Sequence, residues 1–214
     1  DSSPDFFILP AGLDASAPNG NETMNEEDFL LKMIEAQPDV FSNIDGWTSH
    51  SYPNPGFRGK VTDNGRGSLQ TYKWELDLLK SVGQNQSLPV FITETGWTHE
   101  AGLENISKYL KEASESIWTD TKIVAITPFV LNYQAYPFLN FSWRKPGNNG
   151  FFDYYESYKQ IPKIAGKPEL ARVFEKFEGL KIKDVLFFAA IVGSIAALWY
   201  QIVKNVKKSS KPTI

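Results

Sequence analysis

Blocks of apolar residues alternate with amphipathic stretches along residues 1–178 of the chain. Continuous runs of apolar and β-branched residues predict strands, and apolar residues at helical spacing predict helices. The predicted strands are residues 5–13, 40–52, 88–93 and 122–131. The predicted helices follow them at residues 25–36, 68–82, 104–118 and 167–177. Strands that are apolar along their length are usually covered on both faces, which predicts a parallel sheet with helices packed on it.

The order of these elements, a strand and then a helix four times over, limits the fold to two architectures. Four such units with right-handed crossovers form either half of an eight-stranded (β/α) barrel or a small open sheet. Composition does not choose between the two. In both architectures, ligands bind at the carboxyl ends of the strands.

The pattern changes abruptly at the carboxyl end. Residues 185–203, VLFFAAIVGSIAALWYQIV, carry no charge, which predicts a membrane-spanning helix after a linker at residues 179–184. The tail at residues 204–214 is rich in lysine, so we expect it to be cytoplasmic, with the large domain outside a cell membrane that the chain crosses once. The alternative is a buried helix of the globular domain, although such a helix would normally have a polar face.

Charge and composition exclude several classes of function. The 214 residues include 25 acidic and 22 basic side chains, so no basic field predicts nucleic-acid binding. Cysteine is absent, no group of side chains has metal-ligand spacing, and no glycine-rich phosphate loop follows a strand; we expect no cofactor and no metal. Aromatic residues make up 14% of the chain and could supply the flat rings on which sugars stack.

Polar and aromatic side chains gather at the predicted strand ends. The second strand ends on His50 and Tyr52, and the third is followed by Glu94 and Trp97. Asn132 follows the fourth strand, with Trp143 farther along the chain. Because these ends meet at one edge of a parallel sheet, they predict a polar site with stacking walls.

This set of side chains suits the cleavage of a glycosidic bond. Glu94 could attack the anomeric carbon, and the Tyr52 hydroxyl could hold that carboxylate ionised and oriented. His50 could hydrogen-bond a sugar hydroxyl, while Trp97 or Trp143 could form the floor beneath the ring. The alternative for Glu94 is a solvated or helix-capping carboxylate with no chemistry, and for His50 a structural role is equally well supported.

The run ITETGW, behind its apolar strand, resembles the nucleophile strand of the retaining (β/α)8 glycosidases of clan A, such as families 5, 17 and 39. The upstream HSYP at residues 50–53 resembles the sixth strand of the same barrels. The resemblance covers residues 1–178 and implies that the four units are strands five to eight. It also implies that Glu94 is the nucleophile and that Trp143 closes a sugar subsite.

One expected element of that family is missing. The acid/base is a glutamate, usually preceded by asparagine, at the end of the fourth strand. Here Asn21-Glu22 lies in a polar loop and Asn25-Glu26 opens a helix. We therefore expect the acid/base upstream of this sequence, in a missing amino-terminal half of the barrel that acts as a partner, and we expect this chain alone to be inactive.

The leading hypothesis is thus a membrane-anchored, outward-facing retaining glycoside hydrolase. Its substrate would be a β-linked oligo- or polysaccharide, and its helix at residues 185–203 would contact the lipid bilayer. Two alternatives remain open. One is a glycosidase-like module that has lost catalysis and only binds glycan; the other is a scaffold subunit whose membrane helix docks to a partner.

Overall fold

The computed structural model describes residues 7–163, and these form an α/β unit around a small sheet. The strands are β1 (Trp47–His50), β2 (Val90–Thr95) and β3 (Ile123–Pro128). The α-helices are α1 (Glu26–Ala36), α2 (Thr71–Ser81), α3 (Leu103–Glu115) and α4 (Asp153–Gln160). Short 3₁₀ turns occupy His99–Ala101, Ile117–Thr119, Phe138–Phe141 and Pro146–Asn148.

The three strands are parallel and lie in the order β1-β2-β3, so the central strand is β2. Helix α2 connects β1 to β2, and α3 connects β2 to β3. In the first pair Trp47 lies opposite Val90, but the register shifts after Ser49 and brings His50 opposite Glu94. The shift therefore aligns two polar side chains at the carboxyl end of the sheet.

The helix boundaries follow from local sequence. Asn25 caps α1 by accepting a hydrogen bond from the Glu27 backbone N–H at 3.0 Å. The acidic residues in the first turn of α1 interact favourably with the positive end of the helix dipole. In α3, Ile106, Leu110 and Ala113 recur at helical spacing and are all buried. Burial of a side chain the size of Leu110 contributes about 1.5–3 kcal/mol.

Three apolar clusters hold the helices to the sheet. Tyr72 of α2 packs with Val90 and Ile92 on one face of β2. A second cluster joins α1 to β1 and α2; it consists of Leu30, Phe41, Ile44, Trp47, Leu79 and Leu88. The third joins α3 to the segment that follows β3, and consists of Val61, Leu69, Trp97, Ile106, Leu110, Ala113, Trp143 and Tyr154.

The prediction of a four-stranded half barrel is wrong. The part of the chain that the structure describes has a three-stranded parallel sheet and four α-helices. Within residues 7–163, no helix combines the length and apolarity that crossing a membrane requires. The predicted helix at 167–177, the linker at 179–184, the apolar segment at 185–203 and the basic tail at 204–214 lie outside the described residues.

The predicted first strand fails for a local reason. Residues 7–13 run beside β1 without a ladder, since Pro10 has no backbone N–H to donate. The segment is held by the Asp45 carboxylate, which accepts from the Ile8 N–H at 2.8 Å, and by the Thr48 hydroxyl, which donates to the Pro10 carbonyl at 2.6 Å. Residues 7–13 are half-buried or exposed, so their apolar run predicted neither their burial nor the partners of their backbone hydrogen bonds correctly.

Candidate functional site

Glu94 lies on the central strand, one residue before its carboxyl end. Its side chain is 36% exposed, whereas the neighbouring Thr95 is fully buried. Glu94 thus lies opposite His50 on a strand that is paired on both sides, while its carboxylate reaches solvent. A rigid strand that carries a half-exposed carboxylate is a suitable support for chemistry.

Tyr52 makes the shortest contact with this carboxylate. Its hydroxyl donates a hydrogen bond to Glu94 Oε2 at 3.1 Å. Burial of the ring raises the pKa of Tyr52 far above its usual range, and the negative charges of Glu94 and then Asp14 raise it further. The phenol therefore stays protonated at every physiological pH and acts as a permanent donor to Glu94.

His50 contacts the same carboxylate oxygen from the adjacent strand. Its Nδ1 lies 3.6 Å from Glu94 Oε2, which is an electrostatic contact rather than a hydrogen bond. The ring also packs on residues 7–13: a Cβ on Gly12 would lie 2.3 Å from both His50 Cδ2 and Nε2. Only glycine at position 12 leaves room for this ring, and the sequence pattern did not reveal that requirement.

Two phenylalanines complete the wall beside Tyr52. The Tyr52 ring makes edge-to-face contacts with Phe57 at 5.0 Å and Phe141 at 6.1 Å, and these two rings lie 5.0 Å from each other. Phe57 adopts a left-handed backbone conformation, with φ of 57°. Such a conformation costs about 1–3 kcal/mol for a residue with a side chain, and it marks the turn beside Tyr52 as tightly constrained.

Residues on the buried face of β1 hold the polar edge in place. Ser49 and Ser51 alternate with His50 and Tyr52 along the chain, so they point to the opposite side. Their hydroxyls lie 2.8 Å apart, and the Ser51 carbonyl accepts from the Thr95 hydroxyl at 2.7 Å. These contacts tie the end of β2 to the strand that carries Tyr52.

A buried carboxyl pair lies behind these serines. Glu26 and Glu75 are 2% and 0% exposed, and Trp47 Nε1 donates to Glu75 Oε2 at 2.9 Å. Burial raises the pKa of both groups, most strongly that of Glu75, whose pKa the neighbouring Glu26 raises further. Burial therefore favours the protonated form of the pair, which belongs to the core rather than to the open edge. Sequence analysis did not single it out.

The structure places the two predicted stacking tryptophans in the core. Trp97 is 4% exposed and donates from Nε1 to the Gly59 carbonyl at 2.9 Å; Trp143 is 7% exposed. Both belong to the cluster under α3. The indoles thus offer little open face to a sugar, and the aromatic rings in contact with Tyr52 are phenylalanines instead.

Two further polar side chains, the predicted Asn132 and a second histidine, His99, lie away from this edge. Asn132 is exposed beyond β3, and its Oδ1 accepts from Gln134 Nε2 at 2.7 Å. His99 lies apart, with Nε2 at 3.0 Å from the Tyr154 hydroxyl and 3.1 Å from the Ser142 carbonyl. Burial lowers the pKa of His99, which keeps it neutral and structural. Of the predicted residues, the structure brings His50, Tyr52 and Glu94 together.

The assembled edge brings together groups that suit nucleophilic chemistry. It offers one half-exposed carboxylate, a permanent phenol donor and an imidazole, beside a wall of aromatic rings. Among residues 7–163, no cluster of three or more His, Cys, Asp or Glu side chains could bind a metal ion. Searches of protein-family models, of curated proteins and of solved structures find no match to this chain.

Proposed function

We propose that Glu94 is the nucleophile of a retaining glycoside hydrolase that acts on β-linked glycans. The observation that supports this most strongly is the Tyr52 hydroxyl bound at 3.1 Å to a carboxylate at the carboxyl end of the central strand. A retaining enzyme needs a carboxylate that is ionised, rigidly aimed and open to the substrate. Glu94 is aimed by its strand, is open to solvent and accepts a hydrogen bond from Tyr52 that favours the charged form of a carboxylate.

The proposed first step uses Glu94 as follows. One carboxylate oxygen forms a bond to the anomeric carbon as the bond from that carbon to the leaving oxygen breaks, which gives a glycosyl ester. Tyr52 donates to Oε2 throughout and stabilises the negative charge before attack. His50, 3.6 Å from the same oxygen, is positioned to contact the sugar or to steady the carboxylate.

The leaving oxygen also needs a proton, which a second carboxyl group normally supplies. Among the described residues, no Asp or Glu other than Glu94 is recorded in a hydrogen bond or ion pair with Tyr52 or His50. Asp14 acts on Tyr52 only through its charge, and its Oδ1 accepts from the Ser16 N–H at 2.9 Å. Our proposal therefore assigns the acid/base to chain outside residues 7–163.

The nucleophile can be tested without the acid/base. A 2-fluoro glycoside with a dinitrophenolate leaving group needs no acid, since that leaving group departs without a proton. We expect the full-length chain to release about one equivalent of dinitrophenolate and then stop, because the glycosyl ester accumulates. Glu94→Gln should release none.

Glu100→Gln is the matched control. Glu100 is six positions downstream, is exposed and pairs only with Arg58 at 3.6 Å in the described contacts. Its variant should retain the full burst. A burst that survives Glu94→Gln, or one lost equally in Glu100→Gln, would contradict the proposal.

A glycan-binding module is the second candidate. It is favoured by the lack of a second carboxyl group in contact with Tyr52 or His50 within residues 7–163, since binding needs no acid/base. This candidate predicts affinity for glycans with no release of dinitrophenolate from any glycoside. The scaffold alternative predicts neither release nor glycan binding.

A further inference from the structure

The segment after β3 begins directly against the candidate site. The Phe129 N–H donates to the Thr95 carbonyl at 2.8 Å, one residue from Glu94. The chain then leaves the sheet and returns, so that the Trp143 N–H donates to the Val130 carbonyl at 3.0 Å. The loop at residues 131–142, which we call the aromatic loop, is therefore anchored at both ends beside the carboxyl edge of the sheet.

The aromatic loop exposes several large apolar side chains to solvent. Tyr136 is 75% exposed, Tyr133 is 41% exposed and Phe138 is 40% exposed. Leu131, where the loop begins, is 57% exposed. Large apolar side chains grouped on one short segment, rather than scattered singly, mark a binding surface.

A continuous row of rings links the aromatic loop to Glu94. Tyr133 packs edge-to-face on Phe138 at 5.4 Å, and Phe138 packs on Phe129 at 5.3 Å. Phe129 contacts Phe141 at 5.6 Å, and Phe141 contacts Tyr52. The row ends at the phenol that holds the candidate nucleophile, so the exposed rings continue the site rather than forming a separate patch.

The chemistry of the loop selects a neutral, hydroxylated ligand. No Asp, Glu, Lys, Arg or His occurs from residue 123 to residue 143. The exposed polar side chains there are amides, notably Asn132 and Gln134, which stand beside Tyr133 and Tyr136. Rings that stack on C–H faces, interspersed with neutral donors and acceptors, match sugars; a phosphate or an anionic lipid surface would require cations.

We propose that Tyr133 and Tyr136 bind the sugar units of a neutral, β-linked polysaccharide that lie beyond the unit at Glu94. This proposal rests on the proposed function and deepens it, since it makes the substrate a polymer rather than a disaccharide. The loop is held in shape before the ligand arrives: the Tyr133 N–H donates to the Ser142 hydroxyl at 3.1 Å, and Gln134 Oε1 accepts from the Gly147 N–H at 3.1 Å. The loop therefore loses little further conformational entropy when it binds the ligand.

The test compares a β-linked glucan disaccharide with the corresponding hexasaccharide by titration calorimetry on the full-length chain. In Tyr136→Ala we expect hexasaccharide affinity to fall about two- to tenfold, which is the loss of one stacking partner, with disaccharide affinity unchanged. Tyr136→Phe keeps the ring and should keep the affinity. Phe29→Ala is the control, since Phe29 is another exposed aromatic, 40% exposed on α1.

Hexasaccharide affinity that is unchanged in Tyr136→Ala, or reduced equally in Phe29→Ala, would overturn the polysaccharide surface. So would sedimentation showing that Tyr136→Ala only converts a dimer to a monomer. Release of dinitrophenolate separates this proposal from the proposed function. If dinitrophenolate is released but Tyr136→Ala binds the hexasaccharide as the wild type does, only the proposed function is supported. If Tyr136→Ala weakens binding but no dinitrophenolate is released, the aromatic loop binds glycan in a binding module.

Discussion

The Tyr52 hydroxyl lies 3.1 Å from Glu94 Oε2, although 42 positions separate the two residues in sequence. The contact joins adjacent parallel strands at their carboxyl ends, where the register shift after Ser49 also brings His50 opposite Glu94. Burial and the Glu94 carboxylate raise the pKa of the Tyr52 phenol, so it does not ionise at physiological pH and remains a hydrogen-bond donor. This pair is the basis of the functional proposal.

Tyr52→Phe removes that donor while it keeps the ring. The hydrogen bond aims the Glu94 carboxylate, and a misplaced reacting group is slower by up to about 100-fold, so we expect the dinitrophenolate burst to slow roughly 10- to 100-fold. The burst should keep its amplitude, because Glu94 is still present. Stopped-flow absorbance measures the rate, and Tyr155→Phe, which removes a hydroxyl from α4, should leave it unchanged. Equal rates in the wild type and Tyr52→Phe would exclude a role for the phenol.

Gly12→Ala tests the packing of His50. The added Cβ would lie 2.3 Å from the His50 ring, so the ring or residues 7–13 must move. We expect a loss of about 1–3 kcal/mol in the free energy of unfolding, together with a slower burst. Urea titration and the burst assay give the two values. Gly20→Ala is the control, because its nearest atom, Thr23 Oγ1, lies 3.3 Å away. Matching stability and rates in the two variants would contradict the described packing.

The buried Glu26–Glu75 pair predicts how stability depends on pH. Burial raises the pKa of Glu75 in the folded state, so the folded protein binds more protons than the unfolded chain. This contribution is present below the unfolded pKa and is lost as pH rises through the folded one. The charges that act on Glu26 from outside the pair are Arg66, which lowers its pKa, and Asp14, which raises it.

We therefore expect Glu75→Gln to flatten the fall in the free energy of unfolding as pH rises above 4.5, the ordinary pKa of a glutamate. Glutamine keeps an acceptor for Trp47 Nε1 but does not ionise. Urea titrations across that range measure the slope, and Glu104→Gln, at an exposed position in the first turn of α3, serves as the control. Parallel curves for the wild type and Glu75→Gln would show that the pair does not carry the extra proton.

Trp97→Phe separates a core tryptophan from a sugar platform. The substitution removes the bond from Nε1 to the Gly59 carbonyl and leaves a void in the cluster under α3. We expect a loss of about 1–3 kcal/mol in stability with the burst rate unchanged at a temperature where both proteins are folded. Trp74→Phe, at a half-buried position on α2, should cost less. Loss of the burst without loss of stability would show that Trp97 acts in the candidate site.

The sequence was most informative where regular strands end. Glu94, Tyr52 and His50 follow apolar runs, and parallel strands bring such ends together, so their meeting could be predicted. Phe57 and Phe141 could not be, because the first sits in a left-handed turn and the second in a 3₁₀ turn. Trp97 follows Glu94 closely, but the chain turns there and directs the indole into the core.

The fold was predicted less well, for a related reason. Apolar runs do not specify backbone hydrogen bonding, so residues 5–13 and 88–93 both resemble strands in sequence, although only the second range includes part of a strand of the described sheet. Helix α4, DYYESYKQ, was not predicted, because its aromatic residues show no clear helical spacing. The parallel order of β1, β2 and β3 agrees with the alternation of strands and helices.

The most direct test of the account is to locate the label that a 2-fluoro glycoside leaves on the full-length chain. Fragmentation mass spectrometry of the digested protein should place one fluoroglycosyl group on Glu94, and the group should be absent in Glu94→Gln and present in Glu100→Gln. A label on another residue, or none on Glu94 when dinitrophenolate has been released, would contradict the assignment of Glu94 as the nucleophile.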